Sequence, residues 1–215
     1  MRIDWRRLAP TLLGLSATLA LAPTGPARAD ELAGPALVSA LRHGGYVLVL
    51  RHASSPFEVP DKAAADPENV SLERQLDAAG KETSTSMGKA LKTLGIPIGE
   101  VDSSQTFRAL QTAKYADLPH PTSVAELTEG AQGMTADANK ARAAWLTHAA
   151  ASVPRAGTNT VLITHTPNIT AAFGDKAKDI KAGEAMVFQP DGKGGASLVA
   201  RVTIDEWPQL AAAQR

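Results

Sequence analysis

Two histidines stand at the ends of two strongly apolar runs. In V-L-V-L-R-H-A-S-S-P, Val47 to Pro56, four apolar residues lead into Arg51 and His52; in T-V-L-I-T-H, Thr160 to His165, a second run ends at His165. Imidazole changes charge near neutral pH, so it can serve as nucleophile, general acid or base, or metal ligand. A lone histidine is most simply a loop residue satisfied by backbone groups. The pair alters that balance. In open α/β sheets the ligand crevice lies outside the carboxyl ends of the strands, and two histidines on equivalent ends of parallel strands converge there, with Arg51 beside them. A third stretch, S-S-Q-T-F-R-A-L-Q-T-A from Ser103 to Ala113, passes from a short strand through two serines into a helix carrying Arg108.

These side chains need a scaffold of alternating helices and strands, and the periodicity supplies one. Helices are expected at Leu37 to Leu41, stopped by Gly44-Gly45, at Asp77 to Leu94, closed by Gly95 and Pro97, at Thr106 to Ala116, at Ala136 to Ala151 and briefly at Ile169 to Phe173. Strands are expected at Tyr46 to Leu50, around Val101, at Thr122 to Ala125, Thr160 to Thr164, Ala185 to Phe188 and Ser197 to Ile204, with a hairpin turn at Asp191 to Gly195. This order implies an α/β layer fold. Ser54 to Ser71, rich in proline and acidic residues, reads as a long functional loop.

The first segment reads as an export signal. Arg2, Arg6 and Arg7 precede an apolar stretch from Leu8 to Ala22, and Ala27-Arg28-Ala29 has the small-x-small form of a cleavage site. Residues 1–29 are therefore expected to be removed, leaving one domain over 30–215 in the periplasm or secreted, with no stable membrane insertion. The apolar run is short for a membrane anchor and is interrupted by Pro10 and Pro23. The Arg6-Arg7 pair fits a twin-arginine signal poorly. Cysteine is absent, which rules out disulfides, thiolate nucleophiles and Cys-ligated zinc. The formal net charge is zero, with no long run of one sign, so nothing points to nucleic acid or an anionic membrane as partner.

Arg51-His52, the Ser-x-x-x-Arg-x-x-x-Thr stretch from Ser104 to Thr112, and Thr164-His165 occur in that order between about Tyr46 and Trp207. In this the chain resembles the histidine phosphatase superfamily, the phosphoglycerate-mutase-like group, and within it the small exported or phosphohistidine-type proteins. The resemblance implies a three-layer α/β/α sandwich with a mostly parallel central sheet. It also implies that His52 is a nucleophile forming a phosphoenzyme and that His165 donates a hydrogen bond to the phosphoryl oxygens. Phosphoryl transfer is catalysed mainly by positioning and electrostatic stabilisation, and guanidinium forks match phosphate geometry without losing charge. Arg51 and Arg108 are placed in that role. Such a site needs no metal and no cofactor, and its partner is a small phosphorylated substrate.

Asn69 and Arg74, in E-N-V-S-L-E-R-Q-L-D-A-A-G, occupy positions where similar exported proteins carry an Asn and a Gln-Arg pair. They are candidate substrate-binding residues together with Ser104; a solvated charge is the competing reading for Arg74. Thr166 and Asn168, after the second histidine, are candidates to orient it or to cap the next helix, and capping is preferred. Ala53 stands where the family carries Gly or Glu, and its methyl group is expected to narrow the pocket or shift the loop. For the general acid, A-E-L-T-E-G offers Glu126 and Glu129, and G-E-A-M-V-F offers Glu184. Glu126, directly after an expected strand, is preferred; an ordinary surface carboxylate is the competing reading for each. Without a strong acid, phosphohistidine, acyl phosphate or pyrophosphate suits the site better than an alkyl phosphate. A metal-independent phosphatase is thus the leading reading. A catalytically weak phosphate-binding or sensing module is the alternative, and a metal site from His43, His52 and His165 comes last, since no pair has a metalloenzyme spacing.

Overall fold

The computed structural model describes residues 31–56, 61–62, 66, 68–129 and 135–214. The proposed signal segment lies outside them. Six strands form one sheet: β1 (Val47–Arg51), β2 (Ile98–Ser104), β3 (Thr122–Val124), β4 (Asn159–Thr164), β5 (Ala185–Pro190) and β6 (Ala196–Val202). Their order is β3-β2-β4-β1-β5-β6. The pairs β3–β2, β2–β4 and β4–β1 are parallel, whereas β5 and β6 add an antiparallel edge.

Strand β1 shows why V-L-V-L has no polar alternation. Leu48 and Leu50 pack into one core cluster, with residues of α1 (Gly34–His43), α2 (Ala78–Thr93), α3 (Phe107–Tyr115) and α6 (Glu206–Ala212). Val47 and Val49 pack into the other, with Leu146 and Ala150 of α4 (Ala136–Ala150) and Ile169 of α5 (Thr166–Phe173). A strand covered on both faces must be apolar at every position. The expected three-layer α/β/α sandwich is therefore the fold observed.

Helix α6 escaped the sequence reading because it is short and contains Pro208. Its signal was present: in T-I-D-E the Thr203 amide donates to Glu206 Oε2 at 2.6 Å, half of a capping box. Trp207, 1% exposed, anchors the helix in the core. Among the described residues no helix is long and apolar enough to cross a membrane.

Candidate active site

Parallel pairing of β1 with β4, in a register that sets Arg51 opposite Thr164, brings the two strand-end histidines together. The His52 amide donates to the Thr164 carbonyl at 3.0 Å, and the imidazole centroids lie 5.1 Å apart, edge to face. Both rings are buried. Strand β2 lies on the other side of β4 and delivers Ser104 to the same place.

His52 Nδ1 lies 2.7 Å from the Ala53 carbonyl oxygen. A carbonyl can only accept, so the ring hydrogen is on Nδ1 and the lone pair is on Nε2. The His52 pKa is lowered to about 3, chiefly by burial and with Arg108, Arg51 and Arg74 acting in the same direction, against the opposing Ala53 hydrogen bond. The ring is neutral at physiological pH, as a nitrogen nucleophile must be.

Ala53 is where expectation and structure part. Its amide donates to Thr112 Oγ1 at 3.0 Å, and the residue is fully buried within the apolar cluster beneath the sheet. The methyl group therefore fills core rather than narrowing the anion pocket. Thr112 in turn donates to the Arg108 carbonyl at 2.9 Å, tying the His52 loop to α3. Helix α2 meets the same loop through Gly80, where an added Cβ would stand 2.1 Å from the Ser54 carbonyl oxygen. Only glycine permits that approach.

His165 is held from behind. Its Nε2 lies 2.8 Å from Ser104 Oγ and 3.2 Å from Thr106 Oγ1. The Ser104 oxygen accepts the Thr106 amide, and its single proton has two acceptors within reach, His165 Nε2 and Thr128 Oγ1 at 3.3 Å; the other ring nitrogen, Nδ1, is the one near Glu129. That Nδ1 is buried with no hydrogen-bond partner, 3.6 Å from Glu129 Oε2. Burial, then the neighbouring His52 and the three arginines, hold the His165 pKa well below its ordinary value. Ser104, fully buried, thus orients His165. Since the Thr106 hydroxyl is turned toward His165, Glu73 caps α3 from outside, its carboxylate accepting the Phe107 amide at 2.6 Å.

Three guanidiniums face the histidine pair. Arg108, on the first turn of α3, is fully buried; its Nη1 donates to both Asp61 carboxylate oxygens at 3.1 Å, and its Nη2 is bound by Glu129. Its Nε has no partner among the described residues. Arg51 donates from Nη1 to the Ile180 carbonyl at 2.9 Å, and its Nε is likewise buried without a partner. Arg74 contributes its amide to Asp61 at 2.7 Å and its Nε at 3.9 Å. Burial and the adjacent guanidinium lower the pKa of both Arg51 and Arg74.

Among the carboxylates, Glu126 is not the one that enters the site. It is exposed on the 3-10 turn Ala125–Leu127, and its carbonyl is one of three that accept from Asn168 Nδ2. The turn presents Leu127 to the core and leaves Glu126 exposed, whereas Glu129, two residues past it, meets Arg108 and His165. Asn168 and Thr164, both bonded to the Leu127 carbonyl, pin this turn, so Asn168 does not cap α5. Nor does Thr166, for α5 has no side-chain cap. Glu184 is buried, but Arg201 Nε at 2.6 Å and the Lys181 amide at 2.8 Å hold its two oxygens. Asn69 opens the 3-10 turn Val70–Leu72 two strides upstream of Arg74. His43 lies exposed at the opposite end of β1 from His52, so the three-histidine constellation does not form. Asp61 was not singled out by the sequence, where it is one acid among several in a long loop.

No family model and no curated protein matches the sequence. Solved structures do. The protein histidine phosphatase SixA, complexed with tungstate, superposes with a TM-score of 0.51 at 20% identity, over 75% of this chain and 98% of that one. A phosphoserine phosphatase mutant from Entamoeba histolytica in complex with phosphoserine gives 0.52 at 12% identity, over 74% and 97%. A candidate alpha-ribazole-5'-P phosphatase from Escherichia coli gives 0.54 at 15% identity, over 72% and 95%. At these identities the likeness establishes a shared fold, the phosphoglycerate-mutase-like α/β/α sandwich.

Proposed function

We propose that the protein is a metal-independent histidine phosphatase acting outside the cytoplasm. The observation that carries this reading is the His52 ring: its Nδ1 is committed to the Ala53 carbonyl, which leaves the lone pair on Nε2, while Arg108, Arg51 and Arg74 act on the ring and His165 lies 5.1 Å away. In the first step Nε2 attacks phosphorus, the N–P bond forms and the bond to the leaving oxygen breaks. Arg108 and Arg51 stabilise the equatorial oxygens, and His165 donates from Nδ1. Glu129 replaces Glu126 as the acid–base group: it takes a proton from the substrate's phosphoryl hydroxyl or from solvent as substrate binds, and gives that proton to the leaving oxygen. Water then attacks phosphorus, Glu129 takes its proton, and His52 is released with inorganic phosphate. The substrate is a phosphomonoester, phosphohistidine, acyl phosphate or pyrophosphate. Placement outside the cytoplasm rests only on the export signal expected from the sequence at residues 1–29.

Hydrolysis of p-nitrophenyl phosphate in EDTA, by the protein and by its His52→Ala variant, tests the reading. Turnover that survives chelation and disappears in the variant, with an acid-labile phosphoprotein trapped on the way, is expected. Equal hydrolysis by both proteins refutes it. Tight tungstate binding without turnover would instead identify a phosphate-binding module.

A further inference from the structure

Both terminal nitrogens of Arg108 already hold carboxylates. Asp61 takes Nη1 with both oxygens and Glu129 takes Nη2, while Nε is buried behind them. To hold both terminal nitrogens of Arg108 as a bidentate fork, a phosphoryl group must replace one of these carboxylates. The charges require the same. Asp61 and Glu129 set two negative charges against Arg108, and a phosphoryl dianion brought to the same guanidinium meets both of them.

Asp61 is the carboxylate positioned to leave. Glu129 directly follows a turn whose carbonyls, through Thr128, are held by Asn168 and Thr164, and it also faces His165 Nδ1. Asp61 is part-exposed, and its described contacts are to Arg108 and Arg74, both of them groups suited to a phosphoryl oxygen. We propose that Asp61 is a built-in competitor of the phosphoryl group, an affinity-determining residue that holds Arg108 in the empty protein, yields it to substrate and takes it back to expel product phosphate. This rests on the phosphatase reading for its substrate, but its anion-binding consequence is independent of turnover.

The sign of one measurement separates this role from a structural one. A carboxylate that merely positions Arg108 would, once neutralised, let the guanidinium drift and weaken anion binding. A competitor would, once neutralised, strengthen it. Calorimetric titration with inorganic phosphate and with tungstate should therefore give Kd values at least about tenfold lower for Asp61→Asn and Asp61→Ala than for the parent protein, the size of a charge-assisted hydrogen bond. Asp61→Glu should stay near the parent. In turnover the neutral variants should show a lower KM and stronger inhibition by phosphate. Thermal unfolding checks that each variant is folded, and two different replacements guard against one that is not.

Unchanged or weaker anion binding in folded Asp61 variants overturns the proposal while leaving the phosphatase reading intact. Tighter binding in a protein that proves inactive keeps the competitor and removes the enzyme. If neither parent nor variants bind phosphate or tungstate, both fall.

Discussion

Thr112 joins two catalytic elements through one hydroxyl, and replacing it by valine, which has nearly the same shape, removes that hydroxyl alone. The Ala53 amide would lose its acceptor at 3.0 Å, and the Arg108 carbonyl its donor at 2.9 Å. Ala53, Thr112 and Arg108 are all 0% exposed, so no water replaces the lost partner. An orphaned buried donor costs about 1–3 kcal/mol, and about 2 kcal/mol is expected here. That is a large share of the roughly 5–15 kcal/mol by which a domain is stable. Ala53 also holds His52 Nδ1, so freeing its amide misaims Nε2. A displacement approaching 1 Å costs on the order of 100-fold in rate, and a loss of about 10- to 100-fold in kcat is expected. Urea unfolding gives the first quantity, and turnover of p-nitrophenyl phosphate the second. Thr112→Ser keeps the hydroxyl and should keep kcat while losing only a methyl group's packing. If valine is tolerated within about 0.5 kcal/mol, or serine is as damaging as valine, the hydroxyl does not carry the link.

Two further outcomes follow from the same geometry. Because the folded pKa of His52, about 3, lies below its ordinary 6.5, the unfolded chain takes up the proton first. Stability is thus full above about pH 6.5 and declines toward pH 3, by about 1.4 kcal/mol per unit for each such histidine. His165 shifts in the same direction, so urea midpoints at pH 7 and pH 5 should differ less for His165→Asn than for the parent; equal differences contradict it. Glu129→Gln should slow alkyl phosphates, whose leaving oxygen needs a proton, by about 100-fold or more and p-nitrophenyl phosphate far less. An equal loss on both substrates removes Glu129 as the acid and leaves it an Arg108 partner only.

Much of this site could be read from the residues in order. The apolar run of β1 announced a strand buried on both faces, and the motif from Ser104 to Thr112 carried Arg108 and Thr112 together because i and i+4 share a helix face. What could not be read were directions. Whether A-E-L-T-E-G brings Glu126 or Glu129 to the site depends on how the 3-10 turn is laid down, and it gives Leu127 to the core while leaving Glu126 exposed. Whether Ala53 crowds the pocket depends on its amide pointing to Thr112, a partner 59 residues away. Asp61 was illegible for a related reason: its significance comes only from meeting Arg108, 47 residues further along the chain.

The carboxylates at Arg108 also explain how so cationic a site survives when empty. A guanidinium with no exposed surface and no counter-ion would cost several kcal/mol in desolvation, and leaving it unpaired is more damaging than never having buried it. Arg51 and Arg74 add like charge nearby and show the strain in their lowered pKa values. Asp61 and Glu129 neutralise most of this while phosphate is absent. What stabilises the empty fold is then what substrate must displace, so each gain in stability from Asp61 is a loss in apparent affinity for the phosphoryl group. The Asp61 variants should therefore bind anions more tightly and unfold more easily in their absence, the two effects arising from one carboxylate.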